Sequence, residues 1–149
     1  MLRQYLAGAT ASMCDIAIHA LVMVIVIRVT GLARQIATSH QWLRLILVMI
    51  VTVSVLMVAH FVEVLVWALM YAIVGAAPPG ADLVYFAFVN YTTLGYGDVI
   101  PVERWHLLGP MTAMNGVLLF GWSTAVIVEA LRNVMMMIRS EEEQQMRGG

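Results

Sequence analysis

The sequence contains no lysine; its eight basic residues are all arginine, and charged residues of both signs make up only 11% of 149 positions. With a net charge of −1 and no basic cluster, it lacks the electrostatic footprint of a nucleic-acid partner. One cysteine, Cys14, excludes an intrachain disulfide and lies outside any zinc-ligand spacing; it reads as a small apolar filler. The composition and the lack of a nucleophile or metal constellation in a soluble fold disfavour an enzyme. What the chain has in excess is apolar surface. Hydrophobic residues reach 62%, against roughly 45–50% in a soluble domain, and the mean hydropathy is +0.88. Such a chain belongs in a membrane.

Crossing the hydrocarbon core takes about 20 mostly apolar residues as helix. One stretch, 13 to 36, is interrupted by Asp15, His19 and Arg28, so a span and an interfacial helix both fit it. A second runs over 43 to 74 and a third over 106 to 131. The final "EEEQQMRGG" reads as a polar, frayed tail. Between the second and third stretches, Pro78, Pro79 and Gly80 break the helix, and Asp82 is a candidate N-cap for "LVYFAFVNY", which is too short to span. Irregular backbone at membrane depth is tolerated only where protein buries it or it lines water, so the pattern reads as a re-entrant hairpin. Arg28, Arg34 and Arg44 flank the first loop and Arg132, Arg139 and Arg147 follow the last helix. The positive-inside rule makes both regions cytoplasmic and turns the hairpin outward.

The hairpin carries "TTLGYGD", residues 92–98. A dehydrated monovalent cation needs several oxygen dipoles along its path, and backbone carbonyls supply them when a strand alternates ordinary and left-handed conformations. Glycine adopts the second at little steric cost, and Gly95 and Gly97 stand at alternate positions. Thr93 can add a hydroxyl, while Tyr96 can turn away and pack on the short helix. A tight turn in an outer loop is the plainer alternative for a lone Gly-Tyr-Gly.

Together with "HFVEVLVWALMY" and "LLFGWSTA", this stretch resembles the pore module of potassium channels, and more narrowly a group of small three-helix bacterial ion-channel proteins. The resemblance implies an all-α membrane protein: an N-terminal helix and loop over 1–40, a pore module over 41–134 and a tail over 135–149. Within the module it implies an outer helix 43–75, a pore helix 82–93, a filter 93–98 and an inner helix 106–134. It also implies a homotetramer in lipid in a bacterial cytoplasmic membrane, passing potassium passively without a cofactor or nucleic-acid partner. The filter would be Thr93, Leu94, Gly95, Tyr96 and Gly97, with the carbonyls of Thr93 to Tyr96 binding potassium. Thr92, Asp98, Tyr85, Phe86 and Val89 would support it. Val89 stands where several relatives carry an acid that pairs with Asp98. Gly116 falls at the gating-hinge position, and Gly121, Phe120, Thr124 and Val128 would line the cavity and gate; close helix packing is an equal reading of both glycines. Alternative functions are a non-selective cation channel, which the intact Tyr96 and Gly97 argue against, and a non-conducting proton or metal sensor.

Charged groups inside spans are costly and point to function. If the first two helices form an antiparallel hairpin turning near Ser39 and His40, His19 faces His60 and Asp15 faces Glu63. Their i, i+4 and i, i+3 spacings put each pair on one face. The resulting cluster reads as a structural lock, a proton sensor or a metal site. Glu129 and Arg132, one turn apart, read as a surface ion pair or, with four copies, as a carboxylate ring at the inner mouth. Trp105 and His106 read as interfacial anchors.

Overall fold

The computed structural model describes residues 1–32 and 41–148 and is helical, with no strand among the described residues. Its elements are α1 (Leu2–Leu32), α2 (Gln41–Val74), α3 (Leu83–Tyr91), a 3-10 turn (Glu103–Trp105) and α4 (Leu108–Gly148). Three helical stretches, Leu2–Arg28, Trp42–Val74 and Glu103–Glu141, are long and apolar enough to cross a membrane. Large apolar side chains such as Ile50, Met57, Leu69 and Ile73 remain exposed along α2, which suits lipid and not water.

Several boundaries differ from the sequence reading. The first helix begins at Leu2 and not near residue 13, because residues 2–12 contain no proline and their one glycine, Gly8, sits close against Met111. The expected turn at Ser39 and His40 lies outside the described residues. Helix α2 stops at Gly75, before the prolines: with φ of 63° it takes the left-handed cap conformation, and Ala76 N–H returns to the Tyr71 carbonyl. Helix α3 begins as expected, with Asp82 Oδ1 accepting from the Val84 and Tyr85 amides. It ends at Tyr91, two residues short of the expected 93, because Thr93 has a positive φ. The last helix starts at Leu108, with Pro110 in its first turn where a missing N–H costs nothing.

The tail does not fray. Helix α4 continues to Gly148, since glutamate, glutamine, methionine and arginine are good helix formers and Arg44 grips Glu141 through two hydrogen bonds of 3.0 and 2.7 Å.

The chain divides into two compact units, Met1–Ala20 with Ala59–Gly121 and Leu21–Val58 with Trp122–Gly149. The first is built around Val64, Trp67, Tyr71, Phe86, Tyr91 and Leu108, with Ala11 packed among them. Tyr71 lies against Phe86, ring centroids 4.8 Å apart, and its hydroxyl meets Thr112 Oγ1 at 2.5 Å. The second unit packs Met23, Val26 and Leu56 in one cluster and Val48 with Val134 in another.

Candidate functional site

The segment after α3 is held at its start and open thereafter. Thr92 caps the helix, its N–H and its hydroxyl both reaching the Phe88 carbonyl. Thr93 N–H donates to Asn90 and Leu94 N–H to the Val89 carbonyl. Beyond that point no carbonyl from Thr93 to Gly97 accepts a backbone hydrogen bond within the described chain. All seven residues 92–98 are exposed in the single chain, Tyr96 at 70%, so any packing of that ring comes from outside the protomer.

The backbone alternates. Thr93, Gly95 and Gly97 have φ of 59°, 57° and 80°, and Leu94 and Tyr96 between them do not. Two of these positions are the glycines read from the sequence; the third is a β-branched residue, for which the left-handed region costs about 1–2 kcal/mol. Strain of this kind persists only where surrounding structure enforces it, and it gathers at functional sites. An alternating strand turns successive peptides the same way and can present a row of carbonyl oxygens on one side.

Asp98 closes the segment by accepting a 2.7 Å hydrogen bond from the Tyr85 hydroxyl. Val89, which the sequence resemblance sets where relatives would carry an acid, is buried and apolar. The link from Asp98 back to α3 therefore exists, but through an exposed phenol one helical turn earlier. That bond holds the Tyr85 hydroxyl above the ordinary tyrosine pKa. Phe86, the other half of the aromatic pair, is fully buried, against Tyr71.

Helix α4 comes so near the end of α3 that a Cβ on Gly116 would lie on the Tyr91 carbonyl oxygen. A Cβ on Gly121 would meet nothing within 4 Å of this chain. Phe120 packs on His60 and edge-on to Tyr91, with ring centroids at 4.6 and 5.4 Å. Thr124 and Val128 are exposed on α4. Glu129 and Arg132 form no ion pair with one another.

Behind the segment lies a buried polar network. His19 Nδ1 and His60 Nδ1 each stand 2.8 Å from a different oxygen of Glu63, and the Tyr91 hydroxyl donates to Glu63 Oε2 at 2.5 Å. His19 lies beside His60, ring centroids 5.5 Å apart, and its Nδ1 reaches on to Glu63. Asp15 accepts instead from Asn115 Nδ2 at 2.6 Å. Sequence reasoning missed Tyr91 and Asn115 as partners. Asn115 was detectable as a polar residue inside an apolar run, three after Thr112; Tyr91 was hidden in an aromatic-rich helix.

Three membrane-capable helices, with a short helix and an exposed irregular segment joining the last two, define a helical membrane protein. Residues 59–133, half of the chain, match the ion channel family, and the chain belongs to that family. No curated protein and no solved structure gave a significant match. The matched region holds α3, the 92–98 segment, His60, Glu63 and Tyr91; Asp15 and His19 on α1 lie outside it.

Proposed function

We propose that this ion channel is potassium-selective and that Thr93, Leu94, Gly95, Tyr96 and Gly97 form its filter, four chains contributing one strand each around a common axis. The observation that carries the reading is the left-handed backbone at every second position, 93, 95 and 97. It extends to a residue, Thr93, whose side chain resists it. One strand cannot surround an ion, and an exposed Tyr96 with uncommitted carbonyls is unfavourable in a lone chain. A closed homotetramer answers both, surrounding the ion with carbonyls and covering the tyrosine ring.

In this reading α2 is the outer helix, α3 the pore helix and α4 the inner helix, with Phe120, Gly121, Thr124 and Val128 along the cavity and gate. Gly116 serves close packing of the inner helix on the pore helix, and any hinge there has to open that contact. The Tyr85–Asp98 bond braces the outer end of the filter. The arginine distribution favours a filter mouth facing outward, and the resemblance to small bacterial ion-channel proteins favours a bacterial cytoplasmic membrane.

Liposomes loaded with potassium test this. Purified protein should release potassium down its gradient, barium should block the release, and Gly95→Ala should abolish it. Release of sodium as fast as potassium, or none at all, would overturn selectivity or conduction respectively.

A further inference from the structure

The polar network behind the segment carries more than packing requires. Two imidazole nitrogens, a carboxylate and a phenol from three helices meet in one knot: His19 of α1, His60 and Glu63 of α2, Tyr91 at the end of α3. The donor atoms of His19, His60 and Glu63 lie within 4.8 Å of one another. The Tyr91 hydroxyl is 3.1 Å from His60 Nδ1. His19 and Glu63 are fully buried, and the His60 side chain is only 13% exposed.

One turn along α1, Asp15 is also fully buried. Its Oδ2 takes the Asn115 amide, but its Oδ1 has no hydrogen-bond partner, and the carboxylate lies within Coulombic reach of Glu63. The Trp67 indole N–H faces Asp15 but falls short of full hydrogen-bond geometry. Neither carboxylate meets an arginine among the described residues; the ion pairs of this unit are the two histidine contacts. Buried carboxylates in an apolar span are costly without positive charge beside them.

We propose that His19, His60 and Glu63 form a binding site for a divalent first-row transition ion, zinc being the leading candidate, with the Tyr91 hydroxyl at its edge and Asp15 as the balancing carboxylate. The donor set selects the metal class: two imidazoles and a carboxylate suit zinc, nickel or cobalt, whereas magnesium and calcium prefer oxygen alone. Charge also closes. One divalent cation neutralises Glu63 and Asp15 while both imidazoles stay neutral, each carrying its proton on Nε2 so that the Nδ1 lone pair faces the ion. Ligand atoms around a tetrahedral zinc stand about 3.3 Å apart, so on binding the 2.8 Å contacts to Glu63 widen by about half an ångström and the widest separation in the set, up to 4.8 Å, closes by about 1.5 Å. An ion held there would tie α1, which the family match does not include, to the helix that ends at the 92–98 segment.

The full-length protein, purified without a histidine tag, provides the test. After equilibration with zinc and removal of excess, elemental analysis should find about one ion per chain, and cobalt should give the intense visible bands of a four- or five-coordinate site. Millimolar-range magnesium or calcium should displace neither. His19→Gln and His60→Gln should each weaken zinc binding more than tenfold, and Asp15→Asn, which removes the balancing charge and leaves every ligand in place, by about 10–100-fold; His106→Ala should leave it unchanged. Zinc should raise the unfolding midpoint of the wild-type protein. Wild-type protein that retains no zinc after removal of excess, or that gives a pale six-coordinate cobalt spectrum, overturns the site. Both readings on the wild-type protein stand even if a variant fails to assemble.

Discussion

Alanine at Gly116 should disturb the 92–98 segment without touching it. The added Cβ would lie on the Tyr91 carbonyl oxygen, 3.0 Å from the carbonyl carbon and 3.3 Å from Cδ1 of the ring. Backbone cannot rotate aside as a side chain can, so α4 and the end of α3 must separate. Overpacking of this kind costs about 1–3 kcal/mol, offset in part by the roughly 1 kcal/mol gain in helix propensity on replacing glycine with alanine. Gly121 is the internal control. On the same helix, with nothing within 4 Å of its would-be Cβ in this chain, it has the propensity gain alone. The gain cancels between the two variants, so their difference is the overpacking cost, about 1–3 kcal/mol. At about 2–4 °C per kcal/mol for a chain of this length, thermal unfolding in detergent should separate them by several degrees, Gly116→Ala being the lower. Potassium flux should fall with it, because Tyr91 carries the start of the segment. Equal midpoints, or a Gly116→Ala protein that conducts like wild type, would refute the close contact as a structural requirement.

The carboxylate network predicts a non-additive cycle. Tyr91→Phe should lower stability by about 1.5–3 kcal/mol, the range for a hydrogen bond to a charged group, Glu63→Gln by more, and the double variant by no more than Glu63→Gln alone; additive losses in denaturation would show that the bond is not shared. Donation to Asp98 raises the Tyr85 pKa above the ordinary value of about 10. The bond's contribution is therefore complete below that ordinary value and disappears as pH rises through the raised one. Tyrosinate absorbance should show one group titrating earlier in Asp98→Asn than in wild type, and superimposed curves would contradict the bond. Glu141→Gln should cost no more than about 1 kcal/mol, since Glu141 itself is half-exposed, yet it should quicken tryptic cleavage at Arg139 and Arg147 by loosening the last turns of α4. Unchanged cleavage would mean that helix propensity alone holds the tail.

The spans and the short α3 were legible because they rest on composition, length and capping, which are local. Asp82 is such a case: an acid before an apolar run, bonded to two amides as an N-cap should be. The ends were less legible. Gly75 stops α2 through its conformation, ahead of the more conspicuous prolines, and the acidic tail of α4 is fixed by Arg44, 97 residues away in sequence. At the site, alternation was visible at Gly95 and Gly97 but not at Thr93, because a β-branched residue gives no sign of positive φ. The polar cluster could be assembled from i, i+3 and i, i+4 spacings, which decide faces. They do not decide which atoms bond, so His19 reached Glu63 and Asp15 found Asn115 on a helix the spacing argument never considered.

Reversal potential under bi-ionic conditions tests the central claim most directly. With potassium on one side of a planar bilayer and sodium on the other, single channels of the wild-type protein should reverse near the limit set by potassium alone, and Gly97→Ala should lose that shift or carry no current. A wild-type reversal potential near zero would contradict a carbonyl filter at Thr93 to Gly97.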